Sequence, residues 1–281
     1  MTNTNKQIYR EITTRILKDL EQGLAPWVKP WRVEMPYNLI TTKEYSGINV
    51  LLLWQLTELK GYKQSAWLTF RQVKELGGTI KKGEKAAKII YTSVVENTAK
   101  DKKDYFFIKN YAVFNLEQTT GLDQSLFKSF ANNETGEKLE KAENFLESLP
   151  ALVKHGGSRA YYHNHSDESK TYIQIPEKTS FKSLAYYYAT LLHEYGHWTG
   201  HSSRLNRIMS SNKYSPAYMK EELVAELTAA FLSAHLGIKA KLQHSEYIQS
   251  WIKLLNEDNR VIIQAASRAS KEAEYLKALA D

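Results

Sequence analysis

Two histidines stand four residues apart in the run LLHEYGHW, which spans 191–198, and a glutamate directly follows the first of them. Residues at this spacing project from one face of an α-helix, so His193 and His197 can each direct a ring nitrogen at one metal ion. Glu194 is rotated by ~100° from His193, which places it to act as general base on water that the metal makes more acidic. The pattern predicts a zinc-dependent hydrolase of the peptidase type, although manganese or cobalt would accept the same donors.

The sequence around this motif is apolar, as expected of a catalytic helix from which water is largely excluded. The first histidine is preceded by the apolar or aromatic residues Tyr187, Leu191 and Leu192, and Gly200 ends the predicted helix. A pair of histidines on a helix also occurs without any metal, as ordinary half-buried residues. The embedding favours the metal site over that alternative.

A catalytic zinc normally takes three protein ligands and leaves one position open. His201 follows His197 by four residues, but in a continuous helix it would lie ~12 Å along the axis from His193, too far for one ion. A bend at Gly200 is the one way to bring it back. The better candidates lie further along the chain, in the run KEELVAEL.

That run belongs to a predicted helix over 218–236 with two distinct faces. One face is an apolar stripe, made of Leu223, Leu227, Phe231 and Ala234. The second combines carboxylates with small residues that permit close approach of another helix, namely Glu222, Glu226, Ala229 and Ser233. One of these glutamates is expected to reach a metal held by the neighbouring helix. A solvated acidic face near a helix start is the alternative.

The basic charge of the chain is concentrated in its N-terminal part. Residues 1–121 contain 19 Lys and Arg against 12 Asp and Glu, a net charge of +7, whereas residues 122–281 contain 19 of each and are neutral. The same part holds four of the six tryptophans, and cations interleaved with aromatic rings are typical of single-strand binders. A solvated basic surface over an aromatic core would give the same composition.

The rest of the composition restricts the chemistry. Cysteine is absent, so a transition-metal site must use His, Asp or Glu, and no disulfide or thiol nucleophile is available. No apolar run approaches the ~18 residues of a membrane helix. We therefore expect a cytoplasmic protein with no membrane partner.

The order of elements predicts an α+β protein with two domains. Amphipathic and apolar helices over 3–22 and 48–59, with strands at 66–69, 88–95 and 105–115, indicate a small N-terminal α+β domain. The polar stretch Gly121–Gly136 contains the breakers Asn132 and Asn133 and is the predicted linker. The second domain is predicted from a helix over 137–149, strands at 160–163 and 171–175, and helices over 183–199, 218–236 and 245–279, the last broken near Asp258. We place the domains at 1–125 and 126–281.

Taken together, these motifs resemble a known family. The run HEYGHWTGHSSRLNR, followed by EELVAELTAAFL, resembles the zincin-like peptidase domain of the plasmid-borne ArdC-type antirestriction proteins. The runs APWVKPW, YSGINVLLLW, WLTFRQVKELGGTIKKGEKAAKIIY and YAVFNLEQTTGL are similar to the N-terminal single-stranded-DNA-binding domain of that family. The resemblance covers nearly the whole chain, in the family's order.

The resemblance implies roles for individual residues. His193 and His197 become metal ligands, Glu194 the catalytic acid/base, and one glutamate of EELVAEL the third ligand. By analogy with zincins of the HExxH-plus-Glu type we choose Glu222 as that ligand, with Glu226 as the alternative or as the acceptor of a hydrogen bond from a ligand histidine. Glu221 is rotated ~100° from this face and is expected to be solvated.

The resemblance also implies a role in protecting incoming conjugative DNA from host restriction. In one interpretation the chain is a zinc peptidase brought by single-stranded DNA to an unidentified protein substrate, with the host restriction machinery as a candidate. In the other it is a non-catalytic protein that coats single strands, and its metal site is structural or vestigial. One segment departs from the family pattern: it reads TYIQIP where DxIxMP is usual. We expect this strand to border the substrate cleft, so substrate choice is the property affected.

For the N-terminal domain the implied DNA contacts can be named. The rings expected to stack on bases are Trp27, Trp31, Tyr37 and Tyr45. The cations expected to meet phosphates are Arg32, Arg71, Lys81, Lys82, Lys85 and Lys88. Trp54 and Trp67 stand among apolar neighbours and are expected in the core instead, whereas Trp27 and Trp31 lie in a proline-containing loop beside Lys29 and Arg32.

Overall fold

The computed structural model of this chain describes residues 3–23, 25–27, 34–95, 105–127, 136–239 and 245–281. The chain forms two compact units, Met1–Ile16 with Met35–Ala131 and Leu17–Glu34 with Asn132–Asp281. Both units combine helices and strands, and the predicted two-domain α+β class is confirmed. The segment Leu17–Glu34 groups with the second unit, whereas we placed residues 1–125 in one domain. Among the described helices, none is both long and apolar enough to cross a membrane.

Among its described residues, the first unit contains two helices of its own and six strands, besides the first part of a helix that begins at Asn3. Its elements are α1 (Asn3–Glu21), β1 (Tyr37–Asn38), α2 (Ile48–Lys60), β2 (Ala66–Leu68), α3 (Phe70–Glu75), β3 (Thr79–Ile80), β4 (Ala87–Val95), β5 (Tyr105–Asn115) and β6 (Thr119–Thr120). A four-stranded sheet has the order β1-β2-β5-β4, and β3 pairs with β6. The strands β4 and β5 form a long antiparallel ladder that dominates the sheet.

Among the described residues, two hydrophobic clusters stabilise this unit. One contains Trp67, Leu53, Ile89 and Val113, and therefore joins α2 to the sheet. Trp67 is fully buried, in agreement with its predicted core position.

Helix α3 was not predicted, although its start carries a recognisable signal. The Thr69 side chain accepts from the backbone N–H of Gln72, and the Gln72 side chain accepts from the backbone N–H of Thr69.

The second unit places a small sheet beside a bundle of helices. Its further elements are α4 (Gly136–Glu147), β7 (Val153–His155), β8 (Tyr161–His163), β9 (Tyr172–Ile175), α5 (Leu184–Thr199), α6 (Pro216–Leu236), α7 (Ser245–Glu257) and α8 (Val261–Ala280). The predicted break near Asp258 is confirmed, because α7 and α8 are separate helices.

Strand β9 lies within the TYIQIP segment and in the middle of the sheet, parallel to β7 and antiparallel to β8. Its backbone is paired on both sides, so it is not an edge strand of this sheet, and its place beside a substrate cleft stays a prediction.

Helices α5 and α6 approach each other closely at one glycine. A Cβ atom added at Gly196 would lie 3.0 Å from the Cα of Ala225, closer than such atoms normally come. Glycine at the fourth position of HEYGH therefore allows the backbones of the two helices to meet. This contact brings the histidines of α5 to the glutamates of α6.

Candidate functional site

The HExxH motif lies on α5, where its polar side chains are buried. His193 and Glu194 are buried, and His197 is slightly more exposed. The Nε2 atoms of His193 and His197 are 3.2 Å apart, so both rings turn these nitrogens toward the same point. The helical spacing thus produces the convergence expected from the sequence.

Glu222 of α6 supplies the third donor at this point. One of its carboxylate oxygens lies 3.6 Å from the Nε2 of His193, and the other lies 3.6 Å from the Nε2 of His197. An ion bound tetrahedrally at ~2.0–2.1 Å holds its donors ~3.3 Å apart, which is close to all three separations. Two imidazoles and a carboxylate at this spacing fit a divalent transition metal. Within the described residues, this is the one such group of three.

Glu226 lies one turn further along α6 and contacts the other side of the same ring. Its Oε2 atom is 3.5 Å from the Nδ1 of His193. A carboxylate at the nitrogen that faces away from the metal fixes the tautomer and orientation of a ligand histidine. The positions of Glu222 and Glu226 are compatible with the two roles that we predicted for them, and the roles themselves stay predictions.

Glu221 was predicted to be solvated, and this prediction is wrong. Only 7% of its surface is exposed, and its Oε1 atom is 3.3 Å from the Nδ1 of His197. The sequence argument considered only the rotation of Glu221 on its own helix. It missed that α5 and the chain after it cover that side of α6. Both histidines thus have a glutamate of α6 at their Nδ1 atoms.

Arg207 holds Glu221 in place from the loop between α5 and α6. Its Nε and Nη2 atoms donate to the two carboxylate oxygens of Glu221, at 3.0 and 2.6 Å. The same guanidinium donates to the Thr199 hydroxyl at 2.7 Å and to the Gly196 carbonyl at 2.8 Å. Its Nη1 atom also lies 2.9 Å from a carboxylate oxygen of Glu272 on α8. One buried cation therefore connects three helices behind His197.

The charges around the site shift several pKa values. Burial by itself would raise the pKa of Glu222, but the neighbouring His193 and His197 lower it to about 2. The pKa of Glu221 is likewise lowered to about 2, because His197 and Arg207 outweigh the effect of burial. Burial lowers the pKa of His193, but Glu222 and the other nearby carboxylates raise it well above its ordinary value. Both glutamates are thus ionised at neutral pH, as metal ligands or their partners must be.

His201, the alternative third ligand, makes contacts elsewhere. Helix α5 ends at Thr199, and the ring that follows has its Nε2 atom 2.9 Å from the carbonyl oxygen of His165. Its Nδ1 atom is 2.7 Å from the Ser203 hydroxyl. Both nitrogens are therefore engaged outside the group formed by His193, His197 and Glu222.

Three further residues of the site were not predicted. Arg207 lies within the run HSSRLNR, but an arginine in a loop gives no sign of burial in the sequence. Glu272 had a usable signal, because it falls at helical spacing on the apolar stripe formed by Ala265, Ala269 and Leu276 and is fully buried there. Tyr218 precedes Glu222 by one turn of α6, and its hydroxyl lies 3.3 Å from that of Tyr247.

The first unit carries most of the predicted DNA contacts, and the cations are at its surface. Arg71, Lys81, Lys82, Lys85 and Lys88 are all exposed. Arg71 pairs with Glu75 on the same helix, and the Nζ atom of Lys81 donates to the Glu117 carbonyl at 2.7 Å. The placement of these side chains is compatible with phosphate contacts, which stay a prediction.

The predicted stacking rings are less accessible. Trp27 is only 6% exposed and packs edge-on against Trp251 of α7, with the ring centroids 5.7 Å apart. This burial in the second unit argues against Trp27 as a base-stacking residue. Tyr37 and Tyr45 are half-buried against the hydrophobic clusters, and burial raises the pKa of Tyr45. Trp31 and Arg32 lie outside the described residues.

Two family models match the chain, one for each predicted domain. The N-terminal domain of anti-restriction factor ArdC matches residues 6–141, and a zincin-like metallopeptidase matches residues 140–268. A zincin-like domain implies a bound metal, and the site formed by the two helices has the donors for one.

Similar proteins come from bacteria and a plasmid. The "Uncharacterized protein y4eC" of Sinorhizobium fredii (strain NBRC 101917 / NGR234) is 33% identical over 98% of this chain and 93% of its own length. The DNA primase TraC of Escherichia coli is 35% identical over 99% of this chain, which spans only 28% of the primase. Crystal structures of the antirestriction ArdC protein from the R388 plasmid, metal-free and Mn(II)-bound, are 36% identical with a TM-score of 0.80, and 97% of each chain is covered.

Substitution of the three glutamates of α6 separates their roles. We expect Glu222→Ala to lose most metal binding, because it removes a donor. Glu226→Ala and Glu221→Ala should each weaken binding by ~10–100-fold, because each removes the group that orients one histidine. Titration of the metal-free protein by isothermal calorimetry measures these affinities. Glu274→Ala, at an exposed position of α8, is the control, and a milder loss in Glu222→Ala than in Glu226→Ala would reverse the two roles.

Glu272→Gln is expected to change the pH dependence of stability. Burial raises the pKa of Glu272 from 4.5 to about 8, against the opposing effect of Arg207. Between these values the folded protein holds one more proton than the unfolded chain, so the free energy of unfolding falls as pH rises, by up to ~1.4 kcal/mol per pH unit. Above pH 8 this contribution is constant.

Urea unfolding of the metal-free protein across this pH range measures the effect. Glutamine has no proton to lose, so the variant should gain stability relative to wild type as pH rises toward 8. Glu274→Gln, on the exposed side of the same helix, should follow wild type. Parallel curves for wild type and Glu272→Gln would show that Glu272 is ionised in the folded protein throughout.

Proposed function

This chain belongs to the family of ArdC antirestriction proteins, and on that basis we propose that it binds single-stranded DNA and hydrolyses a protein substrate at a zinc site. The observation that carries the proposal is the convergence of two imidazoles and a carboxylate at tetrahedral spacing, with Glu194 beside them. In the wider role that we propose, the protein protects incoming conjugative DNA from host restriction. The host restriction machinery is the candidate substrate.

His193, His197 and Glu222 are the residues that would hold the metal. A bound divalent ion supplies a Lewis acid that polarises a peptide carbonyl and makes water more acidic. Zinc is our choice because this donor set is typical of catalytic zinc, and the Mn(II)-bound crystal structure of the R388 ArdC protein supports manganese as an alternative.

The chain's own residues then have distinct tasks. Glu194 accepts the proton of the attacking water and passes it to the leaving amine. Glu226 and Glu221 hold the two histidine rings through their Nδ1 atoms, and Arg207 keeps Glu221 in position. The burial of these groups excludes bulk water, which strengthens each electrostatic contact. Glu194 also distinguishes this proposal from a purely structural metal site, which has no use for a general base.

The N-terminal unit is proposed as the DNA-binding part. Its excess of basic charge and its exposed lysines favour a phosphate backbone as ligand. The similarity to a DNA primase from Escherichia coli, and to the ArdC protein of a plasmid, supports a role with DNA.

Glu194→Gln tests the enzyme. We expect this variant to keep its metal, since all three donors remain, and to lose ~10²–10⁴-fold in proteolysis, since the general base is gone. The assay follows cleavage of denatured casein and of the chain itself by the zinc-loaded protein, with and without single-stranded DNA. Metal content is measured in parallel. Equal cleavage by wild type and variant would exclude Glu194 as the base, and no cleavage by metal-loaded wild type would favour the non-catalytic DNA-coating protein.

The salt dependence of binding tests the proposed DNA-binding function. The full chain should bind single strands more tightly than duplex, and its affinity should fall steeply with salt because Lys and Arg release counterions from phosphates. With about four phosphate contacts the slope of log K against log salt is about −3. Fluorescence anisotropy of a labelled oligonucleotide measures the affinity at each salt concentration. An affinity that does not change with salt concentration would argue against phosphate contacts.

A further inference from the structure

Two tyrosines expose their rings side by side on the β4–β5 hairpin. Tyr91 is 55% exposed and Tyr111 is 45% exposed. Their ring centroids are 6.3 Å apart. Neither ring was among the predicted DNA contacts.

The register of the hairpin places a lysine on the same face. Tyr91 lies opposite Lys109, and Ile89 lies opposite Tyr111, so all four side chains point to one side of the ladder. The Nζ atom of Lys109 is 5.7 Å from the centroid of the Tyr111 ring. Ile89 belongs to the buried cluster around Trp67. The core face of the sheet therefore continues outward into an exposed aromatic and basic surface.

The strand that carries Tyr91 is fixed at the adjacent residue. The side-chain amide of Asn49 on α2 donates to the carbonyl oxygen of Ile90 and accepts from its N–H, both at 2.8 Å. This pair of hydrogen bonds satisfies the outer edge of β4 at that position. Tyr91 is thus presented by a strand that is held on both sides beside it, and little order has to be created at this ring on binding.

The two rings form separate surfaces. Their planes are at 89°, so they cannot enclose one flat group between them. Each ring instead offers its own face, and the lysine beside Tyr111 offers a charge. Unpaired nucleobases joined by a phosphate have the matching chemistry: flat rings for stacking and an anion for the cation.

We propose that Tyr91, Tyr111 and Lys109 form a stacking platform for consecutive bases of single-stranded DNA; this inference rests on the proposed DNA-binding function. The occupant is an unpaired strand, because the bases of a duplex already stack on each other. Residues 1–121 have a net charge of +7. This charge favours a polyanion such as DNA as the ligand over a protein surface with few acidic residues. The ring faces read no base edges, so the platform accepts any base.

The test compares the full-length wild type with Tyr91→Ala/Tyr111→Ala on an oligothymidylate of about 16 nucleotides, the upper range of single-strand site sizes. We expect affinity to fall about 5- to 150-fold for each ring lost. The slope of affinity with salt should stay that of wild type, because the rings release no counterions. Lys109→Ala should instead reduce the slope by about 0.7. Tyr91→Phe/Tyr111→Phe should bind like wild type, since the rings remain.

An oligonucleotide of the same length with abasic sites identifies the stacking itself. On that strand wild type and Tyr91→Ala/Tyr111→Ala should bind equally, because no base is present to stack. Tyr214→Ala, at an exposed tyrosine of the second unit, is the control and should leave affinity unchanged. Thermal unfolding of the Phe and Ala variants identifies any loss of folding.

The outcomes separate the two claims. If wild type binds single strands and the alanine variant binds them equally well, the platform is overturned and the DNA-binding function stands; a protein-docking role for the rings then becomes the better explanation. An equal loss on the abasic strand also overturns stacking. If wild type itself does not bind single strands, the proposed DNA-binding function fails together with the platform.

Discussion

The metal site depends on the contact between Gly196 and the backbone of Ala225. Any side chain at Gly196 would separate α5 from α6, because its Cβ atom would lie 3.0 Å from the Cα of Ala225. Glu222 belongs to a different helix from the two histidines, and its carboxylate oxygens lie 3.6 Å from their Nε2 atoms only while the two backbones stay in contact. Cores of this kind are too dense to adjust by small continuous shifts. The close approach is therefore the condition on which the donor geometry rests.

The same close packing buries carboxyl groups of α6 and α8. These are the carboxyl groups of Glu221, Glu222, Glu226 and Glu272. Glu221 and Glu272 lie beside the guanidinium of Arg207, whereas Glu222 and Glu226 lie beside His193. Carboxylates removed from water need compensation by cations and hydrogen bonds. Arg207 compensates Glu221, while Glu272 has its pKa raised to about 8 and so carries a proton for much of its time at neutral pH. The cation thus stabilises the ionised glutamate that contacts His197, and the more remote carboxyl is neutralised by protonation.

Much of the site could be predicted from the sequence because it obeys helical periodicity. The spacing of His193 and His197, and that of Glu222 and Glu226, each follow from a single helix. Glu221 could not be placed in this way, since its burial depends on which element covers the far side of α6. The burial of Glu272 follows from its place on an apolar stripe, but its pairing with Arg207 could not be predicted, because it joins a loop to the last helix and no local pattern relates the two residues. Helical periodicity therefore predicts which residues share a face of a helix. It does not predict which other element packs against that face.

The aromatic residues of the N-terminal part also show that the sequence does not predict which residues pack against each other. Composition indicated rings and cations together, but it could not separate rings that face the core from rings that face water. Trp27 sits among prolines and basic residues, yet it packs against Trp251. Tyr91 and Tyr111 stand in an alternating strand pattern that includes the buried Ile89 and Val113, and only the length of the ladder carries them beyond the core. In a sheet the alternation of side chains fixes the face, whereas the extent of the packed layer decides which residues on that face remain accessible. The exposed rings are therefore those at the end of the core face, a position that the sequence marks only once the strand register is known.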